Sequence, residues 1–391
     1  MAISENRKKA APFVSAALMQ APAAKRTAAA MQNEPIESML PLAEICEGFF
    51  LQKRIVFIFV QCYTVWQMYL TKDEVFLMGR KAVYYINNDK SFGYVAHHVW
   101  DILQEEGYFT EKAGILFGGQ EVMKHVDEAG DEFYFVPTNE AICLHYKEYL
   151  DEMNQYFADA DISGMVTWHE GAHALEKVLT VHSLGDVNSG NYGGAKPRYM
   201  RNLMLTIDAN RKALGLDDFR VVTEATHWSG VHNDKGDPTL LNQYPVPMMD
   251  IEVGSEPESW ENMEACRALA RSLTGIFKDD GRKVHNLLCV GGVHFEPNFA
   301  EAVFTQWGDN EAFGVTHILA NQWLVAGEYE NETGVERASQ CIDAIEGGID
   351  AIFFHDKMKA CYKDLVRALG AKYNVPIYKH QRLRNPETLE W

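Results

Sequence analysis

Residues 247–292 read PMMDIEVGSEPESWENMEACRALARSLTGIFKDDGRKVHNLLCVGG, and the fold class turns on this stretch. Pro247–Val253 is a short, mostly apolar run that predicts a strand delivering Glu252. Gly254 then interrupts it. Ser255 stands three residues before Glu258, the spacing of a capping box, and apolar residues recur at helical spacing from Trp260 to Phe277. Asn286–Val290 predicts another strand, ending in the pair Gly291–Gly292. Strand, helix and strand in this order form the repeating unit of an α/β protein.

The same alternation extends both ways. Upstream, Ala82–Ile86 predicts a strand and Tyr94–Glu106 a helix. Gly114–Phe117 and Glu132–Val136 are short apolar runs, Ala141–Phe157 has helical spacing, and Gly164–Trp168 is strand-like. Residues 180–200 are rich in glycine and small polar residues and predict a long loop. Phe219–Thr223 is a β-rich run that delivers Glu224 and His227; Gly236 and Pro238 break the polar stretch after it. Downstream, Glu336–Glu346, Asp350–Phe354, Met358–Gly370 and Pro376–Tyr378 predict helix, strand, helix, strand.

With 391 residues, 47% of them hydrophobic, the chain can bury a full core. A formal net charge of −19 argues against nucleic-acid binding by a generally basic surface. The seven cysteines form no CxxC pair; most lie in apolar or helical patterns and are expected to be reduced core thiols. Cys289, inside an apolar strand, is not expected to be a nucleophile. Residues 1–30 differ from the rest: five basic residues (Arg7, Lys8, Lys9, Lys25, Arg26) face one acid (Glu5) in an alanine-rich context. That composition fits either an organelle-targeting segment or a disordered tail. Ile55–Leu70 is too short and too spotted with Gln61, Thr64 and Gln67 for a membrane span, so no stable membrane association is expected.

Four segments carry the chemistry: LTVHSLGD (179–186), EATHWSG (224–230), CVGGVHFEP (289–297) and GVTHILA (314–320). Three place a histidine at or just after an apolar run, and strand ends are where α/β proteins gather ligands. Together with Glu224 and Glu252 they suggest one pocket built from several parts of the chain. His169 and His173, four residues apart in HEGAH, would share a helix face, although Gly171 weakens a helix there. Asp356 and Lys357, just past a strand, suit either a site or a structural ion pair. Lys379, His380, Arg382 and Arg384 are expected at the surface.

These segments, with EFYFVPTNEAICLHYKEYLDEM (132–153), NYGGAKP (191–197) and DIEVGSEPESW (250–260), occur in the order found in the archaeal and plant type of D-aminoacyl-tRNA deacylase, and the chain resembles that family over roughly 82–380. LTVHSLGD resembles its Leu-Thr-Thr-His block, EATHWSG its Glu-Ala-Thr-His-His-Gly block, and GGVHFEP its Gly-Gly-His-Tyr-x-Pro block. Residues 1–81 have no such counterpart and are read as an N-terminal extension; 82–391 are read as the catalytic domain.

The resemblance implies a three-layer α/β/α fold with a mixed central sheet of the phosphorylase/hydrolase-like kind. It implies hydrolysis of the ester between a D-amino acid and the 3′ end of tRNA, with zinc as cofactor; the reduced thiols point to a reducing compartment, and the expected location is the cytoplasm. Zinc takes three N or O protein ligands in catalytic sites and lowers the pKa of bound water. His182, His227 and His294 are the expected ligands. Glu224, Glu252, His294 and His317 are the expected catalytic residues, with Glu224 or Glu252 as a further ligand or general base. Gly193, Gly194, Lys196, Arg198, Gly291 and Gly292 are expected to bind substrate. Lys196, Arg198 and Arg201 would meet phosphates, and the Gly291–Gly292 amides would hold an oxyanion in a metal-free variant of the mechanism.

Three departures stand out. Trp228 replaces the second histidine of His-His-Gly, Asp186 stands near the family's Asn, and Val293-His294-Phe295 replaces Gly-His-Tyr. If that second histidine binds metal or substrate, another residue such as His232 must substitute, or the activity has changed. A divergent hydrolase acting on another aminoacyl or peptidyl ester is therefore the alternative reading. A non-catalytic RNA- or partner-binding relative is a third, which the retained His182, Glu224, His227, Glu252 and His294 argue against.

Overall fold

The structure, a computed structural model, describes residues 79–171, 174–232 and 236–391. The expectations for residues 1–30 and 55–70, for His173 and for the side chain of His232 lie outside the described residues.

The strands in chain order are β1 (Lys81–Asn87), β2 (Glu111–Phe117), β3 (Gln120–Val126), β4 (Glu132–Thr138), β5 (Ile162–Glu170), β6 (Lys177–Ser183), β7 (Gly185–Asp186), β8 (Asn191–Tyr192), β9 (Arg220–Thr223), β10 (Met248–Ser255), β11 (Lys283–Val290), β12 (Gln306–Trp307), β13 (Glu311–Leu319), β14 (Ala351–Phe354) and β15 (Ile377–Lys379). They form an eight-stranded sheet in the order β2-β3-β4-β1-β5-β10-β6-β9 and a five-stranded sheet in the order β12-β13-β11-β14-β15. Both are mixed: β10 runs parallel to β5 and antiparallel to β6. The α/β class and the mixed sheet are as the sequence implies, with the strands divided between two sheets.

Helices α1 (Val95–Glu105), α2 (Tyr146–Phe157), α3 (Pro197–Ala213), α4 (Met263–Ser272), α5 (Gly334–Asp343) and α6 (Ala360–Tyr373) cover the sheets. Alternation along β1 assigns the faces, because successive side chains leave a strand on opposite sides. Ala82, Tyr84 and Ile86 pack with α1, α3 and α4 in the largest core, whereas Val83 and Tyr85 pack with α2. Leu287, Cys289, Phe313 and Phe353 of the second sheet enter that largest core too, while Leu288, Val290 and Ile352 face α5 and α6. Residues just after β9 stitch the sheets together: Ala225 donates its N–H to the His294 carbonyl (2.9 Å) and Thr226 to that of Ile318 (3.0 Å).

Several local expectations are corrected. The helix expected from Ala141 begins at Tyr146. The helix expected over Trp260–Phe277 is broken: a turn at Pro257–Trp260, then α4, whose cap is Asn262, its side chain accepting from the amides of Glu264 and Ala265. The Ser255–Glu258 capping box does not form; the Ser255 hydroxyl donates to the Leu175 carbonyl (2.7 Å) instead. The loop expected over 180–200 starts later, because Thr180–Ser183 belong to β6, whose central residues are fully buried. His169 lies on a strand rather than a helix, since the apolar run Ile162–Trp168 extends through it. His380, expected at the surface, is buried. The described cysteines are free, and Cys289 is fully buried in β11, which raises its pKa and suits an inert thiol.

Candidate active site

Strand register builds the site. Gly254, Glu252 and Asp250 alternate on β10 and therefore share one face of the sheet. On β5 the partner of Gly254 is His169; on β6 the partners of Glu252 and Asp250 are Thr180 and His182. Thr180 pairs in turn with Val222 on β9, and two residues further on Glu224 rejoins the same face. The row is thus His169, Glu252, Thr180, Asp250, His182 and Glu224. Glycine is required at 254, since a Cβ there would stand 2.5 Å from the Cβ of His169. His294 arrives from the other sheet on the turn after β11, where Gly291 (φ 89°) and Gly292 (φ 79°) adopt the left-handed conformation that glycine tolerates.

Glu224 is the hub and is fully buried. Its Oε1 accepts from the Thr180 hydroxyl at 3.0 Å. Its Oε2 is hydrogen-bonded to Nε2 of His294 and lies 3.2 Å from Nε2 of His169. Nε2 of His182 is 3.9 Å from Oε1 and 3.4 Å from Asp250 Oδ2. The His227 ring stacks on His182 with centroids 4.1 Å apart and stands 5.0 Å from that of His294.

The hydrogen bonds of the other ring nitrogens assign the proton positions. Because the Ser255 hydroxyl donates to Leu175, it must accept from His169 Nδ1–H (2.7 Å). His182 Nδ1 donates to the Ser183 carbonyl (3.2 Å) and His227 Nδ1 to that of Ala225 (2.9 Å). A neutral ring held in this way keeps its lone pair on Nε2. Burial lowers the pKa of His182 to about 4 and that of His227 well below the ordinary value, so both are neutral at pH 7. Nε2 of His182 has no hydrogen-bond partner, nor do both oxygens of Asp250 or Oε2 of Glu252.

The three carboxyls divide their roles. Burial, and then the charge on Glu224, push Asp250 and Glu252 well above the usual carboxylate range, so they hold protons. Burial alone would raise Glu224 too, but the surrounding His182, His169 and His294 hold it well below. One charge thus sits beside two neutral acids.

Two sets of possible metal donors share this charge: His182, Glu224 and His227, and His169, Glu224 and His294; a third is His182, Asp250 and Glu252. Within each set the donor atoms lie within 4.8 Å of one another. Nitrogen and carboxylate donors with an unpartnered, buried imidazole lone pair are the set that zinc takes, so these residues fit such an ion.

The structure therefore gathers His182, Glu224, His227, Glu252 and His294. It does not bring His317 into the group: that ring is buried behind it, hydrogen-bonded to Thr226 (3.1 Å) and edge-on to Tyr192, with its pKa lowered to about 4 by burial. Lys196 pairs with Glu346 (3.1 Å) and Arg198 with Asp279 (2.7 Å). Arg201, which pairs with Asp280, is wholly buried. The Gly291 amide donates to the Leu319 carbonyl (2.8 Å) and is not available for an oxyanion, and the Gly193 amide donates to Leu184 (3.0 Å). Gly194 packs against Pro247. Trp228 points away from the histidines into the α2 core, edge-on to Tyr146 at 5.4 Å, so it does not occupy a ligand position.

Asp250 is the site member that the sequence did not reveal, and His169 was a secondary candidate expected beside His173 on a helix rather than beside Glu224. The signal for Asp250 is Asp-Ile-Glu inside an apolar strand: two acids at i and i+2 must share a face, and a buried acid pair calls for an electrostatic reason. Of the clustered groups, His294 reaches solvent, with 27% of its side chain exposed beside an exposed Val293, and His227 is partly buried.

Residues 156–378 match the family model described as D-aminoacyl-tRNA deacylase. Proteins of that name from Haloarcula marismortui (28% identical over 54% of this chain and 47% of that protein), Archaeoglobus fulgidus (26%, 50% and 68%) and Sulfurisphaera tokodaii (25%, 59% and 90%) are similar to this chain. The chain spans about half the length of several of the curated relatives it matches. The crystal structure of a conserved protein of unknown function is 20% identical, covers 78% of this chain and 97% of that one, and superposes with a TM-score of 0.60, a likeness of fold.

Proposed function

We propose, for a chain that belongs to the D-aminoacyl-tRNA deacylase family, that it hydrolyses the ester joining a D-amino acid to the 3′ end of tRNA. The observation that carries this reading is the His294–Glu224 dyad: a partly exposed imidazole bonded to a buried carboxylate.

An aminoacyl ester is already activated, so the enzyme has chiefly to deprotonate and aim a water. His294 donates its Nε2–H to Glu224, which leaves the Nδ1 lone pair as the proton acceptor. Glu224 fixes that tautomer and stabilises the imidazolium that forms when water is deprotonated. The water oxygen bonds to the ester carbonyl carbon, the bond from that carbon to the ribose oxygen breaks, and His294 returns the proton to that oxygen. The products are free D-amino acid and tRNA. Asp250 and Glu252, kept protonated, add no second negative charge to the pocket.

Zinc held by His182, Glu224 and His227 would supply Lewis-acid polarisation of the water or the carbonyl. The unpartnered Nε2 of His182 supports that assignment. Of the described residues, no helix is long and apolar enough to cross a membrane, and a tRNA substrate points to work in the cytoplasm, with any organelle targeting resting on residues 1–30.

The test is His294→Ala assayed on D-aminoacyl-tRNA alongside a thermal melt. The dyad requires loss of turnover with little change in melting temperature. A large melting loss, or turnover that survives, would remove His294 from the mechanism.

A further inference from the structure

A second group of imidazoles and carboxylates lies outside the Glu224 site. Glu296, His355 and His380 offer donor atoms within 4.8 Å of one another. Three separate parts of the chain supply them: the turn after β11, the end of β14, and the turn of 3-10 helix after β15. The rings of His355 and His380 stack, with centroids 4.2 Å apart and an interplanar angle of 18°. Nε2 of His355 is 3.6 Å from Glu296 Oε2, while Glu296 Oε1 accepts from the Asn298 amide (3.0 Å).

His380 gives this group its direction. The residue is 5% exposed, yet its Nδ1 has no hydrogen-bond partner. That nitrogen faces Asp356 Oδ1 across 3.9 Å, and this oxygen too lacks a hydrogen-bond partner. Two buried polar atoms that face each other with no hydrogen bond to any group are costly unless a cation or a proton joins them.

We infer that Glu296, His355 and His380 form a second metal site, for a divalent transition ion of the zinc type, with Asp356 as the nearest further donor. Two imidazoles and a carboxylate suit zinc or cobalt better than magnesium or calcium, which prefer oxygen alone. Binding requires one rearrangement. The Lys357 amide donates to His355 Nδ1 at 3.3 Å, an exposed and long bond. With a metal on Nε2 the proton moves to Nδ1 and water takes over the Lys357 amide.

The location suggests a bracing role. Glu296 stands two residues after His294 on the same turn. A Cβ on Gly291 would meet Met358 Sδ (2.6 Å) and His355 Cβ (3.1 Å), and one on Gly292 would meet Glu296 Cβ (2.9 Å). The turn that aims His294 at Glu224 therefore packs directly on this group, and an ion here would tie it to the ends of β14 and β15. The role as a brace for His294 rests on the proposed function; the metal site does not.

Metal content of the full chain tests the inference. The protein is stripped with a chelator, dialysed against zinc and, separately, cobalt, and its bound metal is counted by mass spectrometry. His380→Ala and the milder Glu296→Gln should each bind one equivalent less than the parent and lose the upward shift in melting temperature that metal gives it. His182→Ala reports the Glu224 site independently and should leave this equivalent in place. Metal content in Glu296→Gln and His380→Ala equal to that of the parent, with both variants folded by circular dichroism, overturns the second site. An unchanged count in His182→Ala would count against zinc at Glu224 alone.

Discussion

Replacing Glu224 with glutamine keeps the shape of the hub and removes its charge. The carboxylate accepts from Nε2–H of His294, and the strength of that bond depends on the charge. A hydrogen bond to a charged group contributes roughly 1.5–3 kcal/mol, against roughly 0.5–1.5 for a neutral one. The difference is about 1–1.5 kcal/mol for this contact. At about 1.4 kcal/mol per decade, loss of this stabilisation of the His294 imidazolium slows turnover by roughly 5- to 12-fold. The bond from Thr180 can persist to the glutamine oxygen, so the fold should survive. The assay is single-turnover release of amino acid from D-aminoacyl-tRNA, with a thermal melt on the same samples. A folded Glu224→Gln protein within threefold of the parent rate would refute the view that this charge supports catalysis.

Other perturbations probe the surroundings. Trp228→His, which restores the family's residue, should destabilise the protein by about 2–4 kcal/mol in denaturant unfolding and bring no gain in activity, because the position faces the α2 core and would become a polar cavity; a rate increase would show that the position reaches the site. His317 has a folded pKa of about 4, below its unfolded value of about 6.5, so the unfolded chain takes up the proton first. Its contribution is complete above about pH 6.5 and is lost as pH falls toward about 4. Between pH 7 and pH 5 the parent should lose about 2 kcal/mol more stability than His317→Asn, and parallel pH profiles would count against a buried neutral ring. Gly254→Ala should displace His169 from Glu224 and lower the rate of D-aminoacyl-tRNA hydrolysis, whereas an unchanged rate would show that His169 is dispensable.

The parts of this molecule that the sequence made legible are those with strong local period. β1, β5, β10 and β11 lie where their apolar runs predict, because strands buried on both faces must be nearly all apolar. Glu224, His227, Glu252 and His294 were findable as polar residues at the ends of such runs. Helix ends were less legible: the Ser255–Glu258 spacing resembles a cap, but Ser255 is drawn into the Leu175–His169 chain, a tertiary demand that no local pattern carries. His169 was hidden for the same reason. Its partners, Ser255 and Glu224, stand 86 and 55 positions away, and only the pairing of β5 with β10, and of β10 through β6 with β9, brings them together. Lys196 and Arg198 read as free cations in sequence, but acids distant in the chain pair with both.

The measurement that tests the central claim most directly is hydrolysis of one tRNA carrying the D or the L form of the same amino acid, with and without chelator. Release is expected from the D form, with little from the L form, and at a slower rate once chelator has removed metal from the His182–Glu224–His227 set. No release from the D form, or equal release from both, would contradict the proposed deacylase.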